Sequence, residues 1–301
     1  MRLERNAMLD NKLRTLLTLL SVGSYTKTAD ALHLTQPAVS HQIKQLEQEY
    51  GIQIFRKGKK GLNPTPEGEI LIKYARRVQA LDQGVRQELE DSRRHLRRLS
   101  VGITTTLGEY LVSQIFVDYC NEHPEVSINI YSDSLNHLHT MLSLYQLDLI
   151  IVEGAIQSES YVNVLLDTDF LCLAVSPQHP FATRTAVTLQ ELKQERFILR
   201  TQSAGTRTLF EEALLRQGEN IRDFNIVIET DNITTIKELV SAGLGVTVMA
   251  HSACRQEERA GKLSLVPVEN MNMPREINIV HRKDFEHAEI LRDILAIYAR
   301  R

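Results

Sequence analysis

The chain has 301 residues, with 35 Lys and Arg against 38 Asp and Glu and only three cysteines. A chain of this length should form more than one domain, and the widely spaced cysteines without a CxxC pair argue against a zinc site or a disulfide framework, so we expect no metal and no cofactor. No apolar run approaches the ~20 residues of a transmembrane helix and no secretory stretch follows the charged N-terminus, so a cytoplasmic protein without a membrane partner is expected.

The net charge of −3 conceals an uneven distribution along the chain. Residues 1–99 hold 18 Lys and Arg against 11 Asp and Glu, whereas residues 100–301 hold 17 against 27. A basic N-terminal part joined to an acidic remainder fits a nucleic-acid-binding module attached to a body that DNA does not attract.

Two short helices are predicted before residue 35. The apolar residues of the first helix have the i, i+3, i+4, i+7 spacing of one helix face: Leu13, Leu16, Leu17 and Leu20. Gly23 and Ser24 end this helix, and Thr26 can cap a second one that extends through Leu32. The second helix leads through a three-residue turn into a third, which is the spacing of a helix-turn-helix motif.

The third helix is predicted from its cap at Thr35 to its end at Gly51. One face carries the apolar residues Val39, Ile43, Leu46 and Tyr50. The opposite face has short hydrogen-bonding side chains near its N-terminus and no acid before Glu47, which suits a helix in the DNA major groove. An ordinary amphipathic surface helix is the alternative. The expected DNA contacts on this helix are Thr35, Gln36, Pro37, Ser40, His41 and Lys44.

A basic hairpin is predicted directly after this helix. A short strand at 52–55 leads to a glycine-bent tip, and a second strand returns toward Thr65. Four cations in five residues suit a wing on the phosphate backbone, although most charge runs are solvated loops. The wing residues expected to contact DNA are Arg56, Lys57, Lys59 and Lys60.

A long helix is predicted after the wing. Its apolar residues step by 3, 4, 3, 4, which is a heptad seam: Leu71, Tyr74, Val78, Leu81 and Val85. A seam this narrow is typical of helix pairing, and no nearby segment of the chain supplies a partner helix. We therefore expect a dimer through this helix, and the alternative is packing on its own domain.

From Leu99 on, strands and helices alternate. Strands are predicted at 100–103, 126–131, 148–152, 161–166, 170–175, 197–199, 224–228, 246–249 and 277–280, and helices at 107–122, 134–145, 205–217, 232–242 and 286–299. This alternation predicts a mostly parallel sheet covered on both faces. The simplest arrangement is two α/β lobes joined by two crossing segments near 153–166 and 265–275.

Polar residues follow three of these strands, at points where helices begin. Hydroxyls and backbone amides at helix N-termini can hold an anion, although Ser and Thr also cap helices generally. The candidate effector-binding residues are Thr104, Thr105, Thr106, Thr201, Ser203, Gly205, Thr206 and Asn232. Arg200 and Arg207 could neutralise a ligand or could pair with Glu211, Glu212 or Glu229.

The N-terminal part resembles the DNA-binding domain of LysR-type transcriptional regulators. The resemblance lies in the run 23–40, in Ile43-Lys44-Gln45-Leu46-Glu47, in Phe55-Arg56 and in Thr65-Pro66-Glu67-Gly68. It continues through the second part, where the runs 104–111, 150–154, 198–200, 203–207 and 236–246 are similar to the branch of the family that regulates sulfite and cysteine metabolism. Family members of that branch are thought to sense small oxyanions, and members with other ligands exist.

The resemblance implies an α/β protein with an N-terminal winged helix-turn-helix, a long linker helix and a two-lobed effector domain like a periplasmic binding protein. The expected domains are the DNA-binding domain 1–66, the dimerisation helix and hinge 67–98 and the effector domain 99–301, with lobe I at 99–160 and 268–301 and lobe II at 161–267. It also implies a homotetramer built as a dimer of dimers, with double-stranded DNA and a small anionic effector as partners.

We therefore expect a transcriptional regulator that responds to a small-molecule effector, with a sulfur oxyanion, a small carboxylate or another metabolite as the alternatives. A different class would be a two-lobed solute-binding receptor or an enzyme without a role on DNA. The chain contains none of the motifs GxSxG, HExxH or GxxxxGK[ST], and Gly243-Leu244-Gly245 lacks the third glycine of a dinucleotide site. We expect no enzymatic activity and no catalytic residues.

Overall fold

The computed structural model describes residues 10–58, 61–93, 96–202 and 204–300. They form two compact units, one reaching Arg98 and including Ser143–Gln146, the other comprising Leu99–Leu142 and the chain from Leu147 on. Each unit has its own hydrophobic core. Within the described ranges, no helix combines the length and the apolar character needed to cross a membrane.

The first unit begins with three short helices: α1 (Asn11–Val22), α2 (Tyr25–Leu32) and α3 (Gln36–Tyr50). Side-chain oxygens of Asp10, Ser24 and Thr35 cap them by accepting hydrogen bonds from backbone N–H groups of the first turn. Gly23 and Gly51 end α1 and α3 in the left-handed conformation, with φ of 71° and 64°. These local signals, rather than the core, set the boundaries of the three helices.

Two details of this region differ from the prediction. The cap of α2 is Ser24, not Thr26, because Ser24 has an extended backbone and its hydroxyl oxygen accepts from the Lys27 N–H. On α3, Val39, Ile43 and Leu46 are buried as expected, but Tyr50 is exposed. The last turn of α3 extends past the core and ends at once in Gly51, so its apolar residue has nothing to pack on.

The wing is a hairpin of β1 (Phe55–Gly58) and β2 (Gly61–Pro64), paired antiparallel. It begins three residues later than predicted, since Ile54 is buried in the core and donates its N–H to the Glu47 carboxylate at 2.9 Å. The long helix α4 (Pro66–Arg93) follows. Gly68 is required at its start, because a Cβ there would lie 2.2 Å from the Ile54 carbonyl oxygen.

The second unit alternates strands and helices. Its strands are β3 (Arg97–Thr104), β4 (Val126–Asp133), β5 (Leu149–Glu153), β6 (Tyr161–Val175), β7 (Arg196–Leu199), β8 (Asn225–Glu229), β9 (Thr247–Ala250), β10 (Ser264–Val266) and β11 (Pro274–Arg282). Its α-helices are α5 (Thr105–Gly108), α6 (Leu111–Glu122), α7 (Leu135–Ser143), α8 (Leu189–Leu192), α9 (Gly205–Arg216), α10 (Ile233–Ser241), α11 (His251–Arg259) and α12 (Ala288–Ala299), and two 3-10 turns lie at Pro180–Thr183 and Ile221–Asp223.

The main sheet has the strand order β10-β6-β11-β5-β3-β4, and β9 also pairs with β6. β3 and β5 are parallel, and so are β7 and β8 in a separate small sheet. β11 runs antiparallel to β5 and β6, and β6 runs antiparallel to β9 and β10. The prediction of a mostly parallel sheet was therefore wrong for the main sheet, because the strands that connect its two halves run against their neighbours.

One strand, β6, joins two lobes, each with its own core. Residues 161–170 pair with β11 beside the core of lobe I, which includes Ile103, Ile151 and Ile279. Residues 171–175 pair with β9 and β10 beside the core of lobe II. We predicted two strands here and a start of lobe II at residue 161; the pairing assigns 161–170 to the sheet of lobe I instead, because the strand continues without a break.

Three further elements depart from the prediction. The helix expected at 107–122 is divided into α5 and α6 around Tyr110, whose ring packs against the cores of both lobes. α11 and β10 were not predicted, since α11 is mostly polar with two buried residues and β10 has only three residues. The division at Tyr110 leaves α5 as a single short turn directly after β3.

Candidate functional site

The N-terminal end of α3 presents an exposed polar surface. Thr35, Gln36, Pro37, His41 and Lys44 are exposed, and Ser40 is half-buried. The apolar back of the helix lies in the core of the unit, so this surface has a fixed orientation. The neighbouring Gln42 points the other way, since its side-chain oxygen accepts a hydrogen bond from the Thr15 hydroxyl on α1 at 2.6 Å.

The wing supplies the second group of predicted DNA contacts. Arg56 is exposed on β1 and makes no ion pair with any described residue. Lys57 lies in β1, and Lys59 and Lys60 lie outside the described residues. The hairpin therefore carries at least one free cation next to α3.

The predicted dimer helix α4 has two distinct faces. Leu71 belongs to the core of its own unit and packs with Ile72 and Ala75. Tyr74, Leu81 and Val85 are 56%, 44% and 43% exposed, and Val78 is half-buried. The assignment of Leu71 to the seam is thus contradicted, because the first turns of α4 must cover the core. The exposed stripe also includes Leu89, which continues the heptad spacing imperfectly, and Ile70, which lies outside it.

A cavity of about 990 Å³ opens between the two lobes of the second unit. Five of the predicted effector residues line it: Thr104, Thr105, Thr106, Thr201 and Gly205. They come from the end of β3 in lobe I and from the segment between β7 and α9 in lobe II. The carboxyl ends of two strands from different lobes therefore meet at one cavity, as expected for α/β sheets.

Three predicted effector residues are not on the wall of this cavity. Thr206 is buried in the first turn of α9, and its hydroxyl has no hydrogen-bond partner among the described residues. Asn232 caps α10 by accepting from the Thr235 N–H at 2.9 Å. Ser203 lies outside the described residues. Asn232 therefore acts as a helix cap, which was the alternative to ligand binding.

Among the described residues, Arg200 is one of two buried cations on the cavity wall, and Arg275 is the other. Its side chain is buried, with the residue 6% exposed, and its Nη1 donates to the Thr106 hydroxyl at 3.2 Å. Its Nε is buried without a partner, and no described carboxylate forms an ion pair with it. Burial lowers the pKa of the Arg200 guanidinium, and the carboxylates of Glu109, Asp231 and Glu153 act against this shift. A buried guanidinium with unused donors is suited to an anionic ligand group.

Arg207 has a structural role instead. Its guanidinium forms ion pairs with Glu211 at 2.7 Å and with Glu229 at 2.9 Å, and it also donates to the Arg200 carbonyl oxygen. Of the two arginines considered from the sequence, only Arg200 is thus available to a ligand. Arg207 holds the turn that carries Arg200.

A second cluster of charges at the cavity centres on Arg275 of β11. Its guanidinium pairs with Asp169 at 2.9 Å and with Glu153 at 3.0 Å, and it donates to the Tyr110 hydroxyl at 3.1 Å. The second oxygen of Glu153 accepts from the Thr104 hydroxyl at 2.6 Å. Burial acts to lower the pKa of Arg275, but the carboxylates of Glu153 and Asp169 outweigh it and the pKa is raised.

Sequence reasoning missed this cluster. Glu153 follows an apolar strand and could have been found by the same rule that selected Thr104. Arg275 and Asp169 lie in segments without a motif, and their pairing depends on the register between β6 and β11, in which they are direct partners. No local signal in the sequence reveals that register.

Two of the three thiols are buried. Burial raises the pKa of the Cys172 thiol and raises that of Cys254 to about 12, so both stay protonated at neutral pH. Cys120 is exposed. Across the described residues, no group of three or more His, Cys, Asp and Glu side chains could hold a metal ion.

Two family models match the chain. The one described as bacterial regulatory helix-turn-helix protein of the lysR family matches residues 11–69, and the one described as LysR substrate binding domain matches residues 92–301. The first match covers α1 to the start of α4. The second covers both lobes and the cavity.

The chain is also similar to individual proteins over most of its length. It is 28% identical to a probable RuBisCO transcriptional regulator of Emiliania huxleyi, over 90% of this chain and 87% of that protein. It is 23% identical to the HTH-type transcriptional regulator CysL of Bacillus subtilis, over 92% of each chain. The solved structure of full-length CbnR complexed with its target DNA has the same fold, with a TM-score of 0.68, 16% identity and coverage of 96% of this chain and 98% of that one.

Proposed function

The chain belongs to the LysR family of bacterial regulatory helix-turn-helix proteins, and on that premise we propose which residues bind DNA and which bind its effector. It is a DNA-binding transcriptional regulator with an effector-binding domain. We propose that α3 and the wing bind the operator and that an anionic group of the effector binds at Arg200. The observation that carries the effector site is the buried guanidinium of Arg200, which has unused donors and no ion pair among the described residues.

The DNA surface is proposed from exposure and charge. Gln36, Ser40 and His41 would face base edges in the major groove, and Pro37 would lie against a thymine methyl. Thr35 and Lys44 complete the surface on α3. Arg56, Lys57, Lys59 and Lys60 would contact phosphates and add affinity without sequence preference. The absence of an exposed carboxylate in the first two turns of α3 supports this orientation.

Replacing Gln36 by Ala should weaken binding to the preferred DNA site by about 1–3 kcal/mol, because a bidentate contact to one base is lost. Binding to random DNA should change little. DNA fragments selected by the wild-type protein from a random pool would provide the site, and fluorescence anisotropy would give both affinities. Gln48→Ala is the matched control, since Gln48 is an exposed glutamine at the far end of the same helix. Equal losses on both DNAs would move Gln36 to the residues that contact only the backbone.

The oligomer, the domain limits and the location are part of the same proposal. The exposed stripe of α4 would pair two chains, and two dimers would form a homotetramer. The domains would be 1–66, 67–98 and 99–301, with the lobe boundary near residue 170 in place of 161.

A regulator of this type acts on DNA in the cytoplasm and has no enzymatic activity. The alternative classes, a solute-binding receptor or an enzyme, would leave the basic N-terminal unit without a purpose.

The proposed effector is a small molecule with an anionic group. The regulator CysL of Bacillus subtilis and the probable RuBisCO regulators resemble this chain to a similar extent. The sulfur oxyanion suggested by the sequence therefore has no advantage over a small carboxylate or a phosphorylated metabolite. What these anions share is a charged group that Arg200, Thr105 and Thr201 could hold.

The proposed effector site is tested by Arg200→Met. A buried cation without an acid partner costs stability, so this variant should melt at the wild-type temperature or above it. It should also bind selected DNA normally and lose the effector-induced change in the footprint. The effector would first be found by thermal-shift screening of sulfite, sulfate, thiosulfate, phosphate and small carboxylates.

Arg184→Met is the control, since Arg184 has an exposed guanidinium outside the cavity wall. It should respond to the effector as the wild type does. An Arg200→Met variant that still responds at the wild-type effector concentration would place the effector site elsewhere. A marked loss of thermal stability would instead assign a structural role to Arg200.

A further inference from the structure

Two opposite charges flank one short segment of the cavity wall. The Thr104 hydroxyl donates to the Glu153 carboxylate at 2.6 Å, and two residues further on the Thr106 hydroxyl accepts from Arg200 at 3.2 Å. Two residues span at most roughly 7 Å of chain, so these contacts lie within the reach of one small molecule. Between them, Thr105 is exposed on the cavity wall, and its hydroxyl has no partner among the described residues.

Neither of these two charges is fully neutralised by ion pairs among the described residues. Arg200 forms no ion pair with a described carboxylate, and those of Glu109, Asp231 and Glu153 act on it only from beyond ion-pair distance. On the other side, the single guanidinium of Arg275 serves two carboxylates, those of Asp169 and Glu153. This cluster therefore has one more negative than positive charge, and its cavity-facing member is Glu153, which lines the wall together with Arg275. The cavity thus presents a guanidinium without an ion pair next to a cluster that has one excess negative charge.

We infer that the effector is a zwitterion of the α-amino acid class, with its carboxylate on Arg200 and Thr105 and its ammonium group on Glu153. This deepens the proposed function and rests on it. A plain oxyanion would neutralise Arg200 and so remove a positive charge that acts on Glu153, whereas the ammonium group of a zwitterion would supply a new one beside that carboxylate. A volume of about 990 Å³ leaves room for a side chain.

The other carboxylates of the wall are less suited to the ammonium group. Asp133 is already paired with His137, and its pKa is lowered mainly by that hydrogen bond. Glu212, Asp231 and Glu276 are exposed, so water screens their charges. Glu153 is half-buried and held on both oxygens, by Thr104 and Arg275, which fixes its geometry before a ligand arrives.

The inference predicts a measurable preference for amino acids over their deaminated counterparts. The twenty protein L-amino acids, their matched 2-hydroxy acids, sulfate and phosphate would be screened by thermal shift on the full chain. Dissociation constants of the best amino acid and of its 2-hydroxy acid would then be measured by calorimetry. We expect the amino acid to bind at least about 10-fold more tightly, which is the typical contribution of one hydrogen bond to a charged group.

Glu153→Gln should bring this ratio close to 1, because the amide cannot compensate an ammonium charge. The ratio compares two ligands on one protein, so a loss of stability in the variant does not affect it. Glu212→Gln is the matched control, since it also removes one carboxylate from the cavity wall, and it should keep the wild-type ratio.

Three results would overturn the inference: no amino acid stabilises the protein, the 2-hydroxy acid binds as tightly as the amino acid, or Glu212→Gln rather than Glu153→Gln removes the preference. The proposed effector site would survive the first two if a plain anion binds and Arg200→Met abolishes its binding. It would fail separately if anion binding does not depend on Arg200. The two proposals can thus be rejected independently.

Discussion

Replacing Arg275 by Met should lower the free energy of unfolding of the second unit by about 3–5 kcal/mol, the typical cost of breaking a buried ion pair by removing one partner. The side chain of Asp169 is 1% exposed and that of Glu153 is 17% exposed, so water cannot take over the role of the guanidinium. The loss includes the hydrogen bond to the Tyr110 hydroxyl. For a unit of this size, the melting temperature should fall by on the order of 10 °C.

Thermal and urea unfolding of the full chain would measure this effect. Arg184→Met is the control, because its ion pair with Glu191 is exposed and should contribute no more than about 1 kcal/mol. Adding Asp169→Asn to Arg275→Met should recover part of the loss, since it removes one of the two stranded charges. If the Arg275→Met variant is as stable as the wild type, the ion pairs of Arg275 with the two buried carboxylates do not contribute to the free energy of unfolding.

The combined substitution Val78→Asp and Leu81→Asp should convert the protein to a monomer or make it insoluble. In the proposed dimer these residues lie in the seam, where four new carboxylates would be buried without partners. The dissociation constant of the dimer should rise by more than about 100-fold. Cooperative binding to an operator with two half-sites about 34 Å apart should be lost.

Analytical ultracentrifugation would measure the mass of the particle, and a footprint on selected DNA would measure cooperativity. Gln83→Asp introduces the same group on an exposed position of α4 outside the heptad seam, and this variant should remain oligomeric. A soluble double variant with the wild-type mass and normal binding would remove this helix from the interface. The exposed stripe of α4 would then need another explanation.

The helix boundaries of the first unit follow almost entirely from local sequence. A capping side chain at Thr35 and a glycine at position 51 fix α3 within a single residue, because a helix end depends only on nearby backbone groups. The buried face of α3 follows equally from the spacing of Val39, Ile43 and Leu46. Leu71 shows the limit of such reasoning, since a heptad pattern does not tell a core residue from an interface residue until the fold decides what covers it.

The sequence also determined which strand ends carry polar residues, and five of the eight residues selected in this way line the cavity. A rule about strand ends works because the order of strands and helices is local information. The same rule does not distinguish a side chain that is free to bind a ligand from one that caps a helix. It therefore selected Asn232, whose side chain caps α10.

Only the tertiary structure decided how the charges of the cavity are paired. Arg200 and Arg207 are seven residues apart and equally basic, yet Arg207 reaches Glu211 and Glu229 while Arg200 is left with a threonine. Arg275 meets Asp169 because β6 continues from one lobe into the other and sets a register across more than a hundred residues of sequence. Electrostatic pairing depends on distances of a few ångströms between segments far apart in the chain, and no pattern within one segment contains those distances.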